Sequence, residues 1–142
     1  MNAYLKQVLE TISGNYDFVV IDGEAGIEQI NRRVMENITC LALVSDASRK
    51  GLQVISTIKN VAQKLVNCKK TGVIFNRVSP SFAPEALTDL PPVLAVIGDD
   101  PNQTENDMLG DTVFCLPVSS PVYRGAQEAL TKLLEDTPYA SV

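Results

Sequence analysis

The stretch Tyr16-Asp17-Phe18-Val19-Val20-Ile21-Asp22-Gly23-Glu24-Ala25-Gly26 decides how this chain is read. Phe18 to Ile21 is a continuous run of aromatic and β-branched residues, the pattern of a strand buried on both faces. It ends on an acid, and a glycine-spaced loop follows. A carboxylate at that point can hold a magnesium ion directly or through water, and Gly23 and Gly26 let the backbone approach a phosphate closely. The plain alternative is an acid that caps the next turn, with glycines that serve only the bend. An absence matters as much. No Gly-x-x-x-x-Gly-Lys-Ser/Thr loop occurs in the 142 residues, and only one helix-length segment precedes the strand, so none is expected.

The pattern extends in both directions from this stretch. Upstream, Tyr4, Leu5, Val8, Leu9 and Ile12 recur at helical spacing, and Gly14 stands where a helix would stop. Downstream, Ile27, Ile30 and Val34 mark a helix, with Glu28 near its start and Arg32 and Arg33 near its end, as the helix dipole favours. Cys40 to Val44 predicts the next strand. Leu52, Ile55, Ile58, Ala62 and Leu65 outline a long amphipathic helix. Gly72 to Phe75, Val93 to Ile97 and Val113 to Leu116 predict further strands, with helices around Asn102–Leu109 and Tyr123–Leu134. This alternation argues for an α/β fold: a mostly parallel, doubly wound sheet of about five strands with flanking helices, residues 1–142 forming a single domain. In such sheets ligands bind at the carboxyl ends of the strands. Here those ends carry Asp22-Gly23-Glu24, Ser45 to Arg49, Asn76-Arg77 and Gly98-Asp99-Asp100-Pro101.

Composition narrows the partners. A net charge of −5 and a pI near 4.6 leave no basic footprint for nucleic acid or an anionic membrane. No apolar run approaches the ~18 residues of a membrane span, and Met1 to Lys6 lacks a signal-peptide pattern. A cytoplasmic protein is expected. Histidine is absent, which excludes His-based acid–base catalysis and His metal sites. The cysteines, Cys40, Cys68 and Cys115, are odd in number and far apart. Cys40 and Cys115 lie in apolar runs, where a thiol behaves as a small hydrophobe.

Singly, the remaining motifs read two ways. Asn76 offers a donor and an acceptor side by side, suited to a base edge, or is a turn residue. Arg49 and Lys50 beside Gly51 could contact phosphate or a partner, or simply begin a solvated helix with Ser48 as N-cap. Asp99-Asp100-Pro101 reads as an N-cap with proline in the first helical turn.

Taken in order, the segments Asp22-Gly23-Glu24-Ala25-Gly26-Ile27-Glu28, Val44-Ser45-Asp46-Ala47-Ser48-Arg49-Lys50-Gly51, Phe75-Asn76-Arg77-Val78 and Asp99-Asp100-Pro101 resemble the MinD/ParA-type P-loop ATPases. Within them the chain is most similar to the CooC-type nickel-insertion ATPases that mature carbon monoxide dehydrogenase. The resemblance spans essentially the whole chain and corresponds to the family's C-terminal half. It implies a doubly wound fold working as an ATP-sandwiched dimer, with ATP or ADP and magnesium as cofactors. It implies that Asp22 supports magnesium, that Gly26 is the switch glycine sensing the γ-phosphate, and that these two are the catalytic residues. On the base side it implies that Asn76 recognises adenine, that Arg77 flanks the base, and that Asp99 lies in the segment closing over it, where the family has a proline and this chain has Gly98.

Three parts of the family pattern are missing: the phosphate loop with its strand and lysines, the first switch, and the Cys-x-Cys pair that binds nickel. No nickel site is therefore expected. Phosphoryl transfer rests on positioning and on neutralising the β- and γ-phosphates, so the isolated chain is expected to lack ATPase activity. The loss of a central strand implies a homo-oligomer or a missing N-terminal half, with a metalloenzyme as possible client. The second expectation is a non-catalytic, partner-binding α/β module acting with a separate phosphate-loop subunit. A third is an unrelated flavodoxin-like or receiver-like domain; Asn76-Arg77 and Asp22-Gly23-Glu24-Ala25 do not supply the acids, lysine or Ser/Thr-rich loop those folds use.

Overall fold

The computed structural model describes residues 7–8, 11–23, 37–65 and 67–135. Its regular elements are β1 (Asn37–Ser45), α1 (Arg49–Leu65), β2 (Asn67–Val78), β3 (Val93–Gly98), α2 (Pro101–Leu109) and α3 (Pro121–Leu134), with 3-10 turns at Pro84–Ala86 and Val113–Cys115. The strands form one parallel sheet in the order β1-β2-β3. The α/β reading and the parallel sheet therefore hold, with three strands among the described residues. The helix expected to stop at Gly14 is present at residues 7–8 and 11–13. The one expected around Ile27 to Val34 lies outside the described residues.

β2 sits in the middle, and its side chains alternate between two cores. Val73, Phe75 and Val78 join Leu43 of β1 and Ile55 of α1, with Leu41, Leu52 and Ile58 packed around them. Val73 and Phe75 are fully buried, and the Phe75 ring meets Phe82 edge to face at 4.8 Å between centroids. On the opposite face Ile74 packs with Leu94, Ala95 and Ile97 of β3 and with Ala129, Val122 and Leu133 of α3. The period-2 alternation of an extended chain sends neighbours to opposite faces, so one apolar strand supplies both cores. Each fully buried side chain of this size contributes roughly 1.5–3 kcal/mol.

Two close approaches explain glycines. A Cβ on Gly125 would collide with Ile97, so α3 lies down on β3 only because that position lacks a side chain. A Cβ on Gly72 would likewise run into Leu94. Leu94 is the extra residue of a bulge, since Val73 pairs with Val93 and Ile74 with Ala95. At the far end of α3, Lys70 of β2 donates to the carbonyls of Lys132 (2.5 Å) and Glu135 (2.7 Å). A cation there satisfies carbonyls that the helix end leaves over.

Two expected strands are corrected. Val113 to Leu116 is a 3-10 turn over Val113–Cys115, capped by the Thr112 hydroxyl accepting from the Phe114 N–H at 3.4 Å. Phe114 is 93% exposed. Phe18 to Ile21 lies in no regular element, and Val20 is 92% exposed. A four-residue apolar run carries no period of its own; inclusion in a sheet is what makes it a strand. The β1-β2-β3 sheet includes neither run. Among the described residues no helix is long and apolar enough to cross a membrane.

Candidate functional site

Because β1, β2 and β3 are parallel, their carboxyl ends share one rim, and three polar clusters stand there. After β1, the Asp46 carboxylate accepts from the Ser48 hydroxyl (2.6 Å) and the Ser48 N–H (3.1 Å). Those two hydrogen bonds, the hydroxyl's first, hold the exposed Asp46 carboxyl below its usual range. The Ser48 hydroxyl oxygen in turn accepts from the Gly51 N–H at 3.0 Å, which is the N-cap bond that starts α1. Gly51 is required by crowding, since a Cβ there would lie 2.9 Å from the Asp46 carbonyl oxygen and strike the Ser45 and Asp46 side chains.

Near the end of β2 the ladder is interrupted. Phe75 pairs with Val96 and Val78 with Gly98, so Asn76 and Arg77 together oppose Ile97. Arg77 occupies left-handed backbone at φ 56°, and its N–H donates to Asn76 Oδ1 at 3.0 Å. A non-glycine residue there costs on the order of 1 kcal/mol, and both such strain and bulges concentrate where a side chain must be aimed. Asn76 is half-buried and Arg77 exposed.

After β3, two adjacent acids take different roles. Asp99 is exposed and borders a shallow groove of about 460 Å³ lined by Asp100, Pro101, Thr104, Glu105, Met108 and Leu109. Asp100 is 6% exposed and caps α2: its Oδ1 accepts from the N–H of Asn102 (2.9 Å), that of Gln103 (3.4 Å) and the Asn102 side-chain amide (3.1 Å). Its Oδ2 accepts from the Ser120 hydroxyl and from the Val122 N–H at 3.1 Å. Ser120 is fully buried, and its oxygen accepts from the Tyr123 N–H at 3.3 Å, capping α3. One carboxylate thus organises two helix starts, each with proline at the first position. Burial pushes its pKa upward, but the hydrogen bonds from Ser120, Val122 and Asn102 outweigh it and hold the carboxyl at about 2.

The structure brings Ser45, Asn76, Arg77 and Asp99 to the ends of adjacent strands. It does not bring Asp22 there by way of the sheet: Asp22 is an exposed carboxylate in a stretch without regular structure. Gly26 lies outside the described residues. Among the described residues no group of three or more His, Cys, Asp or Glu side chains is arranged to hold a metal ion. The half-buried Asn76 amide, by contrast, suits a planar ligand edge. Sequence reasoning identified Asp100 as a cap and missed its link to Ser120. The only local signal was Ser120-Pro121, itself a cap-and-first-turn pair.

In sequence, the chain is 32% identical over 140 residues to an uncharacterized ATP-binding protein of Methanocaldococcus jannaschii, an alignment covering 94% of this chain and 55% of that protein. The chain spans about half the length of the curated relative it matches. No protein-family model matches it, and no solved structure matches it significantly.

Proposed function

We propose that this chain is the base-recognising half of an ATP-binding domain and is catalytically incomplete alone. The observation that carries the reading is the alignment, over 94% of the chain, to a protein named for ATP binding. The geometry supports it: parallel strand ends form one rim, and a strained bulge holds Asn76 on it. In this reading Asn76 contacts the base, Arg77 flanks it, and Asp99 lies on the groove side. Asp22 and Gly26 belong to the phosphate side. Nothing among the described residues cradles a triphosphate, so no hydrolytic step is assigned to this chain. By motif resemblance the proposal extends to the MinD/ParA type, nearest the nickel-insertion ATPases that serve carbon monoxide dehydrogenase. Cys40, Cys68 and Cys115 supply no nickel pair in this proposal.

Calorimetric titration with Mg-ATP and Mg-ADP tests the reading. The expected result is micromolar binding that Asn76→Ala weakens at least about tenfold, with no turnover. Rapid hydrolysis by pure chain, abolished in Asp22→Ala, would overturn the incomplete-site reading.

One observation favours a second, compatible reading, that of a module completed by a separate phosphate-loop chain or by its own copy. Among the described residues β1 is an edge strand of the sheet, α3 packs chiefly on β3, and Val44 on β1 is 64% exposed. An apolar edge of this kind invites strand addition. Mass in solution across a concentration series measures it; a clean monomer throughout would remove the homo-oligomer.

A further inference from the structure

Two parts of the chain are incomplete in complementary ways. Among the described residues β1 is an edge strand. Leu41 and Leu43 join the core with α1, so Ala42 and Val44 face the other side of the sheet. Both are exposed there, because α3 lies chiefly over β3. The second part is the run Phe18 to Ile21. It has the composition of a strand but lies in no regular element, and Val20 within it is 92% exposed. One region offers a strand edge, and the other is a strand-forming segment outside the sheet.

Charge matches as well. Asp17 and Asp22 bracket the run. Lys69 and Lys70 lie beside the first half of β1, where Cys40 pairs with Lys70. Arg49 and Lys50 open α1 shortly after the last residue of β1, and that helix has no acid in its first turn. A run laid along β1 thus brings an acid toward basic residues at each end. Pairing two β1 strands edge to edge about a two-fold axis does the reverse: it sets Lys69 and Lys70 of one copy toward Arg49 and Lys50 of the other.

We propose that in a dimer the Phe18 to Ile21 run of each copy adds as a parallel strand to β1 of the other, beside Leu41 to Val44, and so carries Asp22 to the other copy's carboxyl-end rim, next to Ser45. The inference rests on the homo-oligomer reading above and names its contact. Parallel addition follows from the run itself, which is apolar on both faces as strands of parallel sheets are. Each copy gives one run and receives one, so the exchange closes on two chains. Asp22, off the sheet in a single chain, becomes a residue of the second chain's rim.

Val20→Lys and Val44→Lys test the contact by sedimentation equilibrium of the full chain. Both positions are exposed, so urea midpoints of the monomer are expected to stay unchanged. Each variant alone is expected to raise the dimer dissociation constant at least about a hundredfold, since both junctions lose an apolar side chain. Phe114→Lys, at an equally exposed apolar residue outside both segments, is expected to leave it unchanged. Mixing the two variants identifies the pairing. Val44→Lys keeps an intact run and Val20→Lys an intact edge, so the mixture recovers one junction and associates at least about tenfold more tightly than either variant alone. Val20 lies outside the sheet, so its variant tests the inference even if Val44→Lys does not fold. No recovery in the mixture, the mark of edge-to-edge or run-to-run pairing, overturns the inference. An oligomer that survives Val20→Lys, or that Phe114→Lys dissolves, also overturns it while the homo-oligomer stands. A monomer at every concentration overturns the homo-oligomer reading itself, and the inference with it.

Discussion

Asp22 and Asp100 begin as the same object in the sequence: a carboxylate just after an apolar, β-branched run, with a glycine close by. Phe18 to Ile21 leads into Asp22-Gly23, and Val93 to Ile97 leads through Gly98 into Asp99-Asp100. In the structure they share almost nothing. The Asp100 carboxylate is buried and receives five hydrogen bonds, from Asn102 (two), Gln103, Ser120 and Val122, joining the starts of α2 and α3. Asp22 is exposed in a stretch of no regular structure. The apolar run before Asp100 is a paired strand of the sheet, whereas the run before Asp22 is not. A carboxylate acquires a definite role from the groups the fold brings to it; the local pattern only makes it available.

The largest test of this contrast is Asp100→Ala. It uncaps two helices and removes the acceptor of the buried Ser120 hydroxyl, so a loss of about 2–4 kcal/mol is expected in urea unfolding. A change below about 1 kcal/mol would show that the two helix starts do not depend on this carboxylate.

Acid sharpens the comparison next. The folded pKa of Asp100, about 2, lies below the ordinary carboxylate value of 3.8. Its contribution, roughly 2 kcal/mol, is therefore fully present above about pH 4 and is lost as pH falls toward 2. Urea midpoints between pH 6 and pH 2.5 should fall more steeply for the unmodified chain than for Asp100→Asn. Parallel curves would mean that the hydrogen bonds to Asp100 do not favour its charged form. Asp46, also lowered, adds to the same trend with the same sign.

The smallest effect belongs to Asp22→Ala, expected within about 0.5 kcal/mol of the unmodified chain, as for exposed positions without defined partners. A loss as large as that for Asp100→Ala would erase the distinction. It would mean that Asp22 is structurally engaged after all.

Much of the fold was legible. Cys40 to Val44, Gly72 to Phe75 and Val93 to Ile97 each fall within an observed strand, and Leu52 to Leu65, Asn102–Leu109 and Tyr123–Leu134 within observed helices. Long amphipathic periods and proline or serine starts are local signals that need no partner to be read. The misreadings share one cause. Phe18 to Ile21 and Val113 to Leu116 look like strands because they are apolar and short, yet inclusion in a sheet depends on pairing that lies outside the run. Of the site, Asn76 and the caps at Ser48 and Asp100 could be named from spacing. The left-handed Arg77 could not, because no glycine or asparagine marks its position; the β2–β3 register imposes it.

Sequence by itself determined the α/β alternation, the strand ends that carry polar residues, the absence of histidine, and the resemblance that points to nucleotide. Those are properties of composition and short-range order, where each residue's chemistry acts on its immediate neighbours. Tertiary structure alone decided which apolar runs became strands, that Asp100 and Ser120, twenty residues apart, became one junction, and that Arg77 takes left-handed backbone in the β2–β3 bulge. Those depend on hydrogen bonds and packing between distant segments, and a donor meets its acceptor only once the chain has folded back on itself.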